Sequence, residues 1–379
     1  KMSTEFNRGR NSDYYGFDAL MITPSDSAGQ QGIYLYAYFK YASTLPKPTG
    51  EYRLAISYDR GVTWPINEIL YGMRNPADEI AYYDVANGAT CRPVFSMSRQ
   101  RTATSRFDVR VLFNANFVYN IGDLYSNWPR GLVSKIAYPS GTGSLETVYN
   151  QMGEAGSTYN PIGYAFNHDY FNIPTAVSIG YDKVIENNKI LIHRRINNTW
   201  ITDTVLSNIS DACNRSNGTY SNRLGSNKNL ISIEFNPVNP DIIYIAYILK
   251  SSSPPGYQFV PRRINVITYN MQTKTLIQNQ KVISSIAGDP GYARITAVSN
   301  FAIPVDMPTL FYDKIAQKLY LYCYVAMIDN QYDSYDTVFK TSTSDNTNWS
   351  ALEQFTPTCQ SVGVCHGRFG SNWDLKVKY

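Results

Sequence analysis

The chain is predicted to be all-β, a β-propeller of five or six blades, on three observations. A pattern of short apolar strand, strongly alternating strand and third strand recurs five times. Between the strands lie turns rich in Gly, Pro, Asn and Asp. The composition also suits strands: tyrosine supplies 32 of 379 residues and aromatics 14 %, while charged residues reach only 17 %. Aromatic side chains fit a pleated, half-buried surface, and no long Ala/Glu/Lys/Leu stretch offers a helix.

Taken in order, the alternating strands are GIYLYAYFK from Gly32, FDVRVLFNA from Phe107, NKILIHRR from Asn188, DIIYIAYILK from Asp241 and QKLYLYCYVAM from Gln317. Each follows an opener: GFDALMITP, TCRPVFSMS, FNIPTAVSIG, NLISIEFNP and DMPTLFYD. Each precedes a third strand: YRLAIS, LVSKIAYP, NNTWITDTV, RINVITYN and DTVFKTSTS. Strands that carry Tyr, Leu and Ile on both alternating positions need cover on both faces, as blades packed against neighbours provide. A two-sheet sandwich is the alternative. The stretch from Tyr119 to Tyr164 leaves room for a sixth unit. Residues 1–14 are taken as an N-terminal extension and 15–379 as a single propeller domain.

The hairpin after the first third strand has distinctive chemistry: Ser57, Asp59, Gly61, Thr63 and Trp64 in the run SYDRGVTW. Asp59 can accept bonds from turn N–H groups and Gly61 can take a positive φ. The Ser57 and Thr63 hydroxyls can tie back to the backbone, and the Trp64 ring can pack under the turn. This spacing resembles the Asp-box, or bacterial neuraminidase repeat, of the sialidase-like β-propeller superfamily. A shorter copy, STSDNTNW from Ser342, lacks the glycine and has one residue fewer before Trp349. In that superfamily such boxes are structural and sit away from the ligand face. The resemblance implies a carbohydrate-related propeller, but where sialidases carry a Tyr/Phe-Arg-Ile-Pro motif this chain has Tyr15-Gly16-Phe17-Asp18. The arginine that would clamp a substrate carboxylate is missing.

Propellers bind ligands where their innermost strands begin, so the openers nominate the candidate site. Asp18 and Asp306 could act as a carboxylate pair in glycoside hydrolysis. His168 could serve as the base of a polysaccharide lyase. Arg92, Asp169, Asn172 and Asn229 would bind ligand. Aromatic residues in polar loops, Trp128, Tyr164, Tyr170, Tyr257, Tyr332 and Tyr335, could stack on sugar rings.

The expected partner is therefore a glycan or a glycosylated cell-surface receptor. The protein would be extracellular or on a virion surface, as a recognition module or, alternatively, as a glycoside hydrolase or polysaccharide lyase. The net charge of +4 is spread along the chain with no basic block longer than a pair, which argues against nucleic acid. No apolar run approaches a membrane span. Cys91, Cys213, Cys323, Cys359 and Cys365 contain no C-x-x-C pair, so no metal is expected from them; Cys359 and Cys365 could pair, and Cys323 reads as a buried thiol. No cofactor is expected. Asp/Asn loops leave room for a structural calcium, although no EF-hand-like spacing supports it.

Overall fold

The structure is a computed structural model. It describes residues 19–22, 34–42, 49–74, 94–100, 107–114, 131–138, 145–150, 159–182, 185, 187–209, 230–250, 262–296, 305–328, 334–355 and 359–361. These residues form antiparallel sheets and one short helix.

The first sheet is β1 (Ala19–Ile22), β2 (Tyr34–Ala42), β3 (Thr49–Ser57) and β4 (Ile66–Arg74), in that order across the sheet. The second runs β5 (Val94–Met97), β6 (Val109–Asn114), β7 (Gly131–Tyr138) and β8 (Glu146–Asn150). The third contains β9 (Tyr159–His168), β10 (Pro174–Asp182), β11 (Asn187–Ile196) and β12 (Thr199–Ile209), again in sequential order. The fourth is β13 (Ile231–Phe235), β14 (Ile242–Lys250), β15 (Arg262–Asn270) and β16 (Thr275–Ser284). Helix α1 (Tyr292–Thr296) follows it. The fifth comprises β17 (Val305–Asp313), β18 (Lys318–Ile328) and β19 (Ser334–Thr343), whose outer edge pairs with two short strands, β20 (Glu353–Gln354) and β21 (Cys359–Ser361).

Every described sheet is thus a meander. In such a sheet the first-to-second and third-to-fourth hairpins share one end. The start of the first strand and the second-to-third connection share the other.

The chain divides into two compact units. One holds residues up to Pro161 with Phe166–Thr175 and His193–Ile201; the other holds Ile162–Ala165, Ala176–Ile192 and everything from Thr202. Within the second unit, β14 shows why its sequence lacks a polar face. From Ile242 to Leu249 every residue is buried. Ile242, Tyr244, Ala246 and Ile248 pack with Leu310, Leu321 and Phe339 of the fifth sheet. The Tyr244 and Tyr312 rings stack with centroids 6.4 Å apart, and the Leu310 N–H donates to Ser232 Oγ at 3.0 Å. Consecutive sheets therefore meet face to face there, with first strands β13 and β17 side by side.

Close packing also fixes Gly163 in β9. A Cβ added there would lie 2.9 Å from Leu230 Cβ and 3.2 Å from Ile179 Cγ2, nearer than packed side chains allow. In the first unit, Leu35, Leu54, Ile56, Val111, Leu112 and Val133 are completely buried.

Three sequence expectations are corrected. The third sheet begins one strand earlier than its predicted opener, at β9. FNIPTAVSIG covers the end of the β9–β10 hairpin and its second strand, so His168, Asp169 and Asn172 close a hairpin rather than open a sheet. The stretch from Tyr119 to Tyr164 supplies β7, β8 and the first part of β9 to the second and third sheets. Tyr164, read as a loop aromatic, is buried within β9.

Candidate functional site

The richest chemistry among the described residues lies in the first unit, on one face of the second sheet. Pairing places it there. Ser96 of β5 stands opposite Arg110 of β6, and Ser134 of β7 stands opposite both Leu112 of β6 and Glu146 of β8. Directly paired residues share a face, as do residues two apart on one strand. Ser96, Arg110 and Glu146 consequently project together, with Asp108 two residues before Arg110.

Arg110 is the centre of this group. Its side chain is 4 % exposed; Nε donates to Asp108 Oδ2 at 3.1 Å and Nη1 to Glu146 Oε2 at 3.0 Å. Burying a guanidinium is costly unless it is paired, and here two carboxylates offset the lost water. Glu146 is in turn gripped by a second arginine. Arg195 Nε and Nη2 bond Oε2 and Oε1 at 2.7 and 2.9 Å, and Trp200 Nε1 donates to Oε2 at 3.2 Å. Burial pushes both carboxyls up, but charged hydrogen bonds outweigh it. His168 and Arg110 hold Asp108 below the usual carboxylate range, and Arg195, Arg110 and Trp200 do the same for Glu146.

His168 stands beside this network. Its Nδ1 lies 2.6 Å from Ser96 Oγ and its Nε2 lies 3.5 Å from Asp108 Oδ2. Serine, imidazole and carboxylate in line invite comparison with a nucleophilic triad, which needs the serine open to substrate and the carboxylate buried. The order of exposure is reversed here: Ser96 and His168 are 0 % exposed, whereas the Asp108 side chain is 25 % exposed. A general base must also reach a substrate proton, and the His168 ring is enclosed by protein.

The β9–β10 turn holds three more residues named from sequence. Asp169 Oδ1 accepts from the N–H groups of Phe171 and Ile173 at 2.9 and 2.8 Å, and its Oδ2 accepts from Arg194 Nη2 at 2.9 Å. Asn172 sits at φ 61°, a conformation asparagine tolerates. From there its Oδ1 receives the N–H groups of Arg99 and Gln100 at 2.8 and 3.0 Å. The Arg99 guanidinium lies 4.0 Å from the Tyr170 ring centroid. All these groups occupy the hairpin end of the second and third sheets.

A hydroxyl–carboxylate turn recurs in each unit. In the β3–β4 hairpin, the Ser57 hydroxyl donates to Asp59 Oδ1 at 2.7 Å and accepts the Gly61 N–H at 2.7 Å. Asp59 accepts the Thr63 N–H at 2.8 Å and its hydroxyl at 2.6 Å. Gly61 adopts φ 83°, and a Cβ there would touch Trp64 and Tyr34 at 3.5 Å. These bonds hold Asp59 down at about 2. After β19, Thr343 rather than Ser342 takes the hydroxyl position, donating to Asp345 Oδ1 at 3.0 Å, and Asp345 accepts the N–H groups of Thr347 and Asn348. Asn346 has φ 60°, matching Arg60 at φ 59°. Its amide reaches Thr268 Oγ1 at 2.8 Å on β15, and its Oδ1 accepts Trp349 Nε1 at 3.1 Å.

At the strand-start end of the fourth sheet, Asp289 accepts from Arg263 Nε and from Ser284 Oγ, the latter at 2.7 Å, with Lys281 Nζ 3.5 Å away. That carboxylate is committed to its own chain. Of the proposed acid pair, Asp306 is the second residue of β17 and its backbone pairs with Tyr324. A one-residue bulge follows it, where Pro308 has no N–H for the ladder. Asp18, Arg92, Trp128, Asn229, Tyr257 and Tyr332 lie outside the described residues, as do Cys91, Cys213 and Cys365. Among the described residues no group of three His, Cys, Asp or Glu is arranged to hold a metal, and no helix is long and apolar enough to cross a membrane.

Sequence reasoning passed over Arg110, Glu146, Arg194, Arg195 and Trp200. One signal was present: Asp108 and Arg110 alternate with Val109 and Val111, placing two charges on one face of a strand in a chain poor in charge.

No family model matches the chain, and no curated protein matches it significantly. Solved structures with a similar course include an ulvan lyase of polysaccharide lyase family PL25, at 9 % identity over 91 % of this chain and 74 % of that one, TM-score 0.46. The GH93 α-L-arabinofuranosidase of Fusarium graminearum in complex with arabinobiose is similar at 10 % identity, 93 % and 82 % coverage and TM-score 0.42. An α-L-arabinanase of Cellvibrio cellulosa is similar at 11 %, 88 % and 94 %, and 0.38.

Proposed function

We propose that the chain is a β-propeller that recognises carbohydrate, acting as a receptor-binding or lectin-like module outside the cell or on a virion. Its ligand face is formed by the loops at the strand-start ends of the sheets. The observation that carries this reading is the pair of Ser/Thr-x-Asp turns, built alike, at the third-to-fourth strand positions of the first and fifth sheets. Such turns resemble those of sialidase-like propellers, in which they stabilise blades opposite the ligand face. Two further features support it. Consecutive meanders stack with first strands adjacent in the second unit, and the loops combine Tyr and Trp with Asn, Asp and Arg, the pairing that holds a pyranose by ring stacking and hydroxyl bonds. Recognition rather than catalysis is favoured because Gly16 stands where the sialidase motif has the arginine that would clamp a substrate carboxylate.

The test is a glycan array run beside assays for new reducing ends and for unsaturated uronate on a polysaccharide panel. Retention on glycans with no product supports recognition. Product formation that Asp18→Asn or Asp306→Asn abolishes would replace it with a glycoside hydrolase or lyase. Neither retention nor product would remove carbohydrate from the reading.

A further inference from the structure

Glu146 is held the way a protein holds a foreign carboxylate. Its two oxygens receive four N–H donors: Arg195 Nε and Nη2 form a fork on both oxygens, while Arg110 Nη1 and Trp200 Nε1 converge on Oε2. The donors come from three strands, β6, β11 and β12, and the acceptor from a fourth, β8. A planar fork with added donors on one oxygen selects carboxylate by shape as well as charge. The donors are the better enclosed part: the Arg110 and Arg195 side chains are 4 % and 16 % exposed, against 24 % for Glu146. Arg110 keeps its second partner, Asp108, whatever occupies the site. Trp200, one of the donors, has the Phe166 ring beside it with centroids 6.4 Å apart.

We propose that Arg110, Arg195 and Trp200 form a carboxylate-selective anion site which the chain fills with its own Glu146, and that truncating this side chain opens the site to a free small carboxylate such as formate or acetate. The site lies at the hairpin end of its sheets, apart from the strand starts assigned to glycan. Glu146 is its tethered ligand. A tethered carboxylate and a free one satisfy the same donors, so an added carboxylate replaces what truncation removes and stabilises the folded state by mass action.

The experiment compares thermal unfolding of the full chain and of Glu146→Ala at neutral pH in sodium acetate, sodium formate and sodium chloride of equal ionic strength. Glu146→Ala is expected to melt several degrees lower in chloride. Its melting temperature should rise saturably with acetate or formate, while the parent responds no more to them than to chloride. Arg195→Ala in the same background should abolish the response, and Glu146→Gln, which leaves no space, should show none. If Glu146→Ala accumulates poorly, refolding yield in acetate against chloride gives the same readout. Equal effects of acetate and chloride on Glu146→Ala, or a response surviving Arg195→Ala, would overturn the proposal.

Discussion

Ser96 and His168 lie 72 residues apart in sequence and meet at 2.6 Å, Oγ to Nδ1, with neither side chain exposed to solvent. One belongs to β5 and the other ends β9, so this bond joins the second sheet to the third within the first unit, beside those that Glu146 accepts from Arg195 and Trp200.

Removing one partner leaves the other buried. Ser96→Ala is expected to destabilise the protein by about 1–3 kcal/mol, the usual cost of an orphaned buried polar group. Urea denaturation reads this as a lower midpoint at unchanged slope. A midpoint within error of the parent would show that Nδ1 finds other company.

Acid should loosen the same region. Asp108 and Glu146 both titrate below their ordinary values of 3.8 and 4.5 when folded. Their contribution is therefore fully present above those values and is lost as pH falls through the lowered folded ones. The expected outcome is a stability that declines on acidification from about pH 4.5 and a shallower decline in Glu146→Gln. Parallel curves for parent and variant would contradict it.

The β3–β4 turn supplies a local titration. Asp59, held at about 2, should keep its grip on the Thr63 amide well below pH 3.8. Following that amide by NMR, the shift should move with a midpoint near 2, and in Thr63→Val, which loses the hydroxyl donor, the midpoint should rise.

Gly163 tests close packing. Gly163→Ala forces a methyl against Leu230 and is expected to cost about 1–3 kcal/mol, as overpacking does. Leu230→Gly combined with it, which removes the Cβ that the new methyl would strike at 2.9 Å, should recover part of the loss relative to the sum of the single changes, a non-additivity that a double-mutant cycle measures.

Cys323 gives a chemical check. Complete burial pushes its thiol up to about 12, so alkylation of native protein followed by peptide mass spectrometry should leave Cys323 unmodified until denaturant is added.

How far the sequence could be read follows from these same residues. Most strands were legible because alternation is a local property: GIYLYAYFK and DIIYIAYILK announce β2 and β14 without help from distant residues. β9 was not, since YNPIGYAFNH carries Pro161 and Gly163, both of which read as breakers; the glycine is there because Leu230 leaves no room for a side chain. The Asp59 turn was readable in detail, being a set of bonds within eight residues. The grip of Arg195 on Glu146 spans 49 positions, and nothing in either segment alone names the other. Only the charges at Asp108 and Arg110, facing one way on an otherwise apolar strand, hinted that something had to be neutralised.

The double-sided cover of β14 limits where such a molecule can change over generations. A strand with no solvent face has no neutral positions, so mutational drift in β14 is punished on both sides, whereas the edge strands β12 and β16 keep exposed residues. The hairpin tips Val238, at 72 % exposure, and Ile315, at 98 %, stand outside that constraint. Sequence change should accumulate in such connections while the buried strands beneath them stay still.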